Sequence, residues 1–484
     1  MNNSSPGVYP KKPLDDKLNL KTKLAYGAGD LGPAITSGIG VFFLLYFFTN
    51  VAGIPAGLSG SILLIGKIWD AVNDPIVGVL SDRTQSRWGR RLPWLLYGAI
   101  PFGILYFFQW IVPQFSADPT AQMWGLFWYY VAIGILFNVF YTVVNLPYTA
   151  LTPELTQDYN ERTTLNTFRF AFSIGGSILS LILAQVIFSK VTDPKQQYLV
   201  LGAVCAVISV LPLYWCVWGT RDRVVAFEKQ RAEAELPDVS IPIGDQLKIV
   251  FKNKPFLYVI GIYLCSWLAL QVIASIIPYY VINWMRLKSE DVPLTILAIQ
   301  GTALVMLFVW NALSERVGKK AVYFMGMSLW LIALTGLFFL QPGQIKLMYL
   351  LSVMAGFGVS TAYLIPWSMM PDVIELDELR TGQRREGIFY GFMVFLQKFG
   401  LALGLFLVGM ALEWSGFKET VAGQGIPEQP ASALLAIRLA IGPLPILCLI
   451  GGLVLAYFYP ITREVHAEIL LKLKEHRRKE GETG

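Results

Sequence analysis

The run Lys67-Ile-Trp-Asp70-Ala-Val-Asn73-Asp74-Pro75 places three ionisable side chains and an amide inside an otherwise apolar stretch. On a helix, positions 67, 70 and 74 share one face, with Asn73 beside them. Two carboxylates one turn apart repel each other when both are ionised, and holding a proton or binding a cation relieves that repulsion. Carboxylate, amide and hydroxyl oxygens are hard ligands of the kind that suit an alkali cation. A competing reading makes Lys67 the partner of an internal ion pair, although one ammonium cannot neutralise two carboxylates. Arg169, in Thr-Phe-Arg-Phe-Ala-Phe, and Lys398, in Phe-Leu-Gln-Lys-Phe-Gly, are also embedded in apolar sequence. A charge at membrane depth is costly unless it faces water or a partner, so each marks a candidate site. These two could hold hydroxyls or an anion, or act as counter-ions for Asp70 and Asp74. Asp30 lies about two turns into its apolar stretch. Arg438 and Glu413 sit close enough to the ends of theirs to reach an interface.

The elements that carry these residues are long apolar helices. Of 484 residues, 55% are hydrophobic and 15% charged, too little charge for a soluble protein of this size. A span needs about 20 mostly apolar residues. Twelve are predicted, near 24–50, 57–81, 93–113, 123–150, 164–189 and 197–219, then 255–285, 293–313, 321–341, 346–371, 388–414 and 432–460. The expected class is an all-α membrane protein with two six-helix halves, 1–219 and 255–460, a polar linker 220–254 and a tail 461–484.

Charge placement sets the orientation and removes several functions. With this assignment 29 of the 39 Lys and Arg fall in the tails and loops of one side and only 6 on the other. That bias predicts cytoplasmic termini in a plasma (inner) membrane. The excess of +6 thus faces a membrane surface, and no nucleic-acid partner is needed to explain it. His466 and His476, the only histidines, lie in the polar tail, so no span offers a His for nucleophilic or zinc chemistry. No Gly-rich loop followed by Lys-Ser or Lys-Thr is present, which argues against an ATP-driven pump. Cys205, Cys216, Cys265 and Cys448 lack metal-ligand spacing and read as small buried apolar residues. The first 20 residues lack the apolar core of a signal peptide. What remains is a secondary transporter that is not an enzyme and needs no cofactor beyond a coupling cation. A non-transporting sensor would call for an output domain, and domains take at least about 50 residues, more than the tails or linker supply.

The halves echo each other. Asp82-Arg83 followed by Trp88-Gly89-Arg90-Arg91 after span 2 matches Glu315-Arg316-Val-Gly318-Lys319-Lys320 after span 8. Pro147-Tyr148-Thr149 with Pro153-Glu154 at the end of span 4 matches Pro366-Trp367-Ser368 with Pro371-Asp372 at the end of span 10. Such correspondence resembles the major facilitator architecture, whose halves rock about a central site. Asp82, Arg83, Glu154, Glu315, Arg316 and Asp372 are therefore expected to act in gating, as charges that latch the halves on the cytoplasmic side.

Lys-Ile-Trp-Asp-Ala-Val-Asn-Asp-Pro, Arg-Trp-Gly-Arg-Arg, and Leu-Thr-Pro-Glu-Leu-Thr with Asn-Glu-Arg-Thr shortly after make the chain resemble, over nearly its whole length, the glycoside–pentoside–hexuronide cation symporters, the melibiose-carrier-like branch of that superfamily. The resemblance implies a sodium or proton site at Asp70, Asn73, Asp74 and Thr142. It also implies a substrate site, for which Asp30, Asn145, Tyr148, Thr149, Arg169, Tyr363, Trp367 and Lys398 are the expected residues. The pattern departs from the melibiose type at the sugar clamp. Asn145 stands where that type has an aspartate, Thr149 where it has a tryptophan, and Ala34 near its span-1 aspartate. Asn-Leu-Pro-Tyr is closer to the pentoside and hexuronide carriers. The same branch includes lysophospholipid symporters, so a lysolipid or other amphiphile stays open beside a sugar or glycoside as the small-molecule substrate. The remaining expectations are a lipid surround and a monomer.

Overall fold

The computed structural model describes residues 17–156, 159–232, 251–381, 386–419 and 427–483, and every named element in it is helical. In chain order the first eight are α1 (Leu20–Ala28), α2 (Leu31–Asn50), α3 (Ala56–Arg83), α4 (Leu92–Phe108), α5 (Pro119–Thr149), α6 (Thr152–Leu155), α7 (Tyr159–Lys190) and α8 (Pro194–Ala232). Then come α9 (Lys254–Tyr279), which runs into a π-turn over Tyr280–Trp284, α10 (Asp291–Val317), α11 (Lys319–Phe339), α12 (Ile345–Thr381) and α13 (Glu386–Trp414). The last three are α14 (Ala431–Ile441), α15 (Pro443–Phe458) and α16 (Arg463–Thr483).

Ten helical segments are long and apolar enough to cross a membrane, and the shorter α4 is an apolar eleventh. The twelfth expected span, α3, is 28 residues long, and its charged residues keep it from qualifying by composition. Its packing explains how it is tolerated. Asp70 and Asn73 are buried, while Ile68, Trp69, Val72, Ile76, Val79 and Leu80 are each about half exposed. The helix is thus apolar outward and polar inward, the inverse of a surface helix in water.

Several boundaries differ from the sequence-based expectation. The first span is broken at Gly29-Asp30 into α1 and α2, and Asp30 sits in the break, where its carbonyl accepts the first hydrogen bond of α2 from Ala34 at 3.0 Å. The last span is interrupted at Gly442, directly before Pro443 opens α15, a residue suited to the first helical position. The expected linker begins as helix, since α8 continues to Ala232; residues 233–250 lie outside the described residues. The polar tail forms a helix, α16, whose Ile469 and Leu473 are buried.

By internal contacts the chain groups into two compact units, residues 1–40 with 65–240 and residues 41–64 with 241–484. The end of the first span and the start of the second thus group with the second unit. There the Thr49 and Tyr279 hydroxyls are 2.7 Å apart, and the Gly57 N–H at the start of α3 donates to Glu413 at 2.7 Å. Glu413 therefore serves as a helix cap, placing a negative charge at a helix N-terminus. In the first unit Tyr26, Leu92, Leu95, Tyr148, Leu151, Leu165 and Val217 form a buried cluster. Close helix approach there depends on small residues. A Cβ at Gly32 of α2 would lie 2.3 Å from the Ser209 carbonyl oxygen of α8, whereas a Cβ at Gly175 of α7 would meet nothing within 4 Å.

This contrast predicts opposite signs for one methyl group. Gly32→Ala should cost about 1–3 kcal/mol by overpacking against backbone. Gly175→Ala should gain roughly 0.5–1 kcal/mol of helix propensity. Thermal unfolding of the purified variants in detergent checks both; equal midpoints would show that the α2–α8 contact yields freely.

Candidate functional site: a shared hydroxyl between two carboxylates

Pro75 follows Asp74 directly and lies within α3, where it removes one N–H donor from the backbone ladder of a helix that continues to Arg83. Across from it runs α5, with Gly134, Asn138, Thr142 and Asn145 at helical spacing along one stripe. The Thr142 hydroxyl lies 3.0 Å from Asp70 Oδ1 and 2.9 Å from Asp74 Oδ1. A hydroxyl carries a single proton, so it donates to one carboxylate at a time while staying in contact with both. Three oxygens are thereby gathered into a cluster that attracts a proton or a small monovalent cation. Asn73 is buried, and its Nδ2 has no hydrogen-bond partner among the described residues. Lys67 Nζ lies 3.6 Å from Asp70 Oδ2, but it donates to Asn138 Oδ1 at 2.9 Å and sits 5.9 Å from the centre of the Tyr141 ring. Asn138 is a member of the site that sequence reasoning missed. The available signal was its place one turn before Thr142 on a span otherwise poor in amides.

The remaining expected residues of the first unit separate into two groups. Arg169 Nε pairs with Asp30 at 3.6 Å, so the described partner of Arg169 is the acid in the span-1 break and not the acids of α3. Asn145 Oδ1 is buried without a donor among the described residues, leaving a buried acceptor whose partner must come from elsewhere. Tyr148 makes a helix-packing contact. It is fully buried, stacks on Tyr26 with ring centres 5.1 Å apart, and donates its hydroxyl proton to the Tyr26 carbonyl at 2.8 Å. It packs α5 against α1. Thr149 donates to the Leu146 carbonyl at 2.9 Å, an internal bond of its own helix.

In the second unit Tyr363 and Trp367 belong to an aromatic cluster with Tyr263, Trp267 and Tyr390. Trp267 meets Tyr363 edge-on at 5.8 Å, Tyr263 stacks with Trp267 at 5.6 Å, and Trp367 stacks with Tyr390 at 6.0 Å. The Trp267 indole donates to the Gln397 carbonyl at 3.0 Å, next to Lys398 on α13. Tyr263, Trp267 and Tyr390 were not expected. The paired i, i+4 aromatics 263/267 and 363/367 on two different spans were the signal.

Of the expected gating charges, Asp82 and Glu154 enter a local ion-pair network in the first unit and Asp372 enters one in the second. Glu154 on α6 is buried and accepts from Arg90 Nη2 at 2.9 Å and Arg91 Nη1 at 3.0 Å. Arg91 reaches Asp82 at 3.1 Å and also donates to the Ala150 carbonyl, while Arg90 reaches Glu228 at 3.2 Å. Burial pushes the Glu154 carboxyl up from its ordinary value, against the pull of Arg91 and Arg90. In the second unit Asp372 accepts from Lys319 at 2.7 Å, and His466 of α16 lies 3.3 Å from Asp372 and 2.6 Å from Glu375. Asp372, Glu375 and His466 bring ligand atoms together in a way that could hold a metal ion, but the Lys319 ammonium already occupies the shared carboxylate. Arg83 and Arg316 are exposed, and the Arg316 carbonyl accepts from Arg463 at 2.7 Å. The Glu315 side chain lies outside the described residues. The described ion-pair partners of Glu154 and Asp372 all belong to their own units.

Removing a partner from such a buried charge group is costly. Glu154→Gln should therefore lower stability by about 3 kcal/mol, read as a lower thermal midpoint in detergent. An unchanged midpoint would mark the pair as solvated.

Comparison with known proteins agrees with this architecture. Residues 25–463 match the family described as MFS/sugar transport protein. An uncharacterized symporter of Synechocystis sp. is 53% identical, over 95% of this chain and 97% of its own. A candidate glycoside/cation symporter of Escherichia coli, YagG, is 29% identical over 96% of this chain and 97% of its own. The sodium-dependent lysophosphatidylcholine symporter 1 of Mus musculus is 27% identical over 98% and 91%. In fold, the crystal structure of the nucleoside transporter NupG superposes with a TM-score of 0.61 at 14% identity, over 92% of this chain and 100% of that one. The chain is an integral, multi-pass membrane transporter and belongs to the MFS/sugar transport protein family, within its glycoside–pentoside–hexuronide cation symporter branch.

Proposed function

We propose that this chain couples the movement of one sodium ion or proton, bound at Asp70, Asp74 and Thr142 with Asn73 as a further ligand, to symport of a glycoside, pentoside or hexuronide. The observation that carries the reading is the single Thr142 hydroxyl shared between the two carboxylates at 3.0 and 2.9 Å. Such a cluster is unfavourable when empty of positive charge and gains most from a proton or an alkali cation. A hydroxyl-rich solute fits the other features. The buried Asn145 Oδ1 lacks a donor, which a sugar hydroxyl supplies. The aromatic cluster around Trp267, Tyr363 and Trp367 offers ring faces of the kind on which the apolar face of a sugar packs. The similarity to YagG agrees with a glycoside, while that to the lysophosphatidylcholine symporter keeps a lysolipid as the competing cargo. The positive-inside bias supports an inner-membrane location with both termini cytoplasmic, and the chain is proposed to work as a monomer.

The test is uptake into proteoliposomes of a panel of labelled glycosides, pentosides and hexuronides, with a lysophosphatidylcholine arm, under imposed sodium or proton gradients. Asp74→Asn should abolish uphill accumulation while leaving downhill exchange. Accumulation that survives in Asp74→Asn removes the cation assignment, and accumulation of lysolipid alone replaces the sugar. Asn145→Leu should weaken sugar binding about tenfold, as loss of a buried hydrogen bond does, with gradient dependence kept. An unchanged KM would take Asn145 out of the substrate site.

A further inference from the structure

Lys67 lies beside the α3 carboxylate Asp70, and its position is off-centre. Its ammonium is 3.6 Å from Asp70 Oδ2, beyond hydrogen-bond range, while it donates to Asn138 Oδ1 at 2.9 Å. The acceptor is itself fixed. Asn138 Nδ2 donates to the Gly134 carbonyl at 2.7 Å, which orients the amide with its oxygen toward Lys67. Asn138 is buried, and its Nδ2 would lie 3.1 Å from a Cβ placed at Gly66, so the amide is wedged between α3 and α5. Nothing in the cation-cluster geometry requires this amide, yet it determines where the lysine charge rests.

We propose that Asn138 is a positioning residue that holds the Lys67 ammonium aside from Asp70, so that Lys67 acts as a built-in counter-ion and the coupling cation keeps access to the carboxylates. The inference rests on the cation reading given above. The ammonium and the Asp70 carboxylate are close enough to attract each other, and the amide oxygen sets how far that attraction draws the lysine in. Lys67 is also a tethered competitor. With no amide oxygen to hold it, the same side chain moves onto Asp70 and contests the coupling cation's place. Asn138 thereby sets the apparent cation affinity without being a ligand.

The experiment titrates the purified protein with sodium chloride, choline chloride serving as the ionic control, and follows binding calorimetrically and through the intrinsic fluorescence of Trp69 next to Asp70. Asn138→Leu should raise the half-saturating sodium concentration tenfold or more, with saturation still reached at higher sodium. Lys67→Met should lower it by at least tenfold. Asn138→Asp, which keeps the acceptor, should bind sodium at least as tightly as the parent. The deciding measurement is the double variant: in the Lys67→Met background, Asn138→Leu should have no further effect, because the residue acts only through Lys67. An equal shift in both backgrounds, or none in the parent, overturns the proposal. If protons replace sodium in the parent, the same comparison is read as the pH midpoint of gradient-driven uptake. That midpoint should fall by about one unit in Asn138→Leu, a tenfold change in proton affinity, and rise in Lys67→Met. Asp74→Asn runs alongside. If it keeps cation-driven accumulation, the cation reading itself fails; if it loses accumulation while Asn138→Leu is silent, only the role of Asn138 falls.

Discussion

Ionised carboxylates in a medium that solvates charge poorly are the constraint on which the first unit depends. Asp70 and Asp74 cannot be left to lipid, so α3 turns its polar face inward and shows Ile68, Val72, Ile76 and Val79 outward. That choice requires α5 to present a matching stripe, and Asn138, Thr142 and Asn145 supply it at helical spacing. The same accounting applies at the span-1 break, where Asp30 and Arg169 offset each other. Asn145 Oδ1, by contrast, is left without a donor among the described residues.

The two units treat their repeated motif alike and their interiors differently. Glu154 beneath α5 is gripped by Arg90 and Arg91, and Asp372 on α12 by Lys319. In both cases the acid that follows a Pro–aromatic–hydroxyl triplet meets basic residues of the corresponding loop, Arg90 and Arg91 in the first unit and Lys319 in the second. This local clamp ties the end of one span to the loop between two others within its own unit. The candidate clusters differ in kind: the first unit gathers carboxylates, an ammonium and amides around Thr142, while the second gathers the rings of Tyr263, Trp267, Tyr363, Trp367 and Tyr390.

Helix number and the shared helix face of Lys67, Asp70 and Asp74 could be read from the chain because each depends on local rules. Hydropathy counts spans, and i, i+3, i+7 spacing fixes which side chains share a face. Thr142 could be named only through family resemblance, since its distance from Asp70 is set by how two helices pack. The packing of Tyr148 was hidden for the same reason. A tyrosine beside a proline near a span end looks identical in sequence whether it faces a cavity or, as here, another tyrosine across a helix contact. The breaks at Gly29-Asp30 and Gly442 follow recognisable Gly and Pro signals, but span-length windows average over them. The helical tail was hidden by its polarity: among its described residues Ile469 and Leu473 record that it has a buried side.

That tail carries a consequence for observing the molecule at work. His466 binds α16 to Glu375 and Asp372 on α12, and Arg463 binds it to the end of α10. The C-terminal segment is therefore mechanically continuous with the helix that bears Tyr363 and Trp367. A dye attached along its exposed side, at Glu468 for example, would ride on α12 as a rigid pointer. Its distance to a label on the first unit would give a ruler for conformational cycling that leaves every membrane-embedded residue untouched.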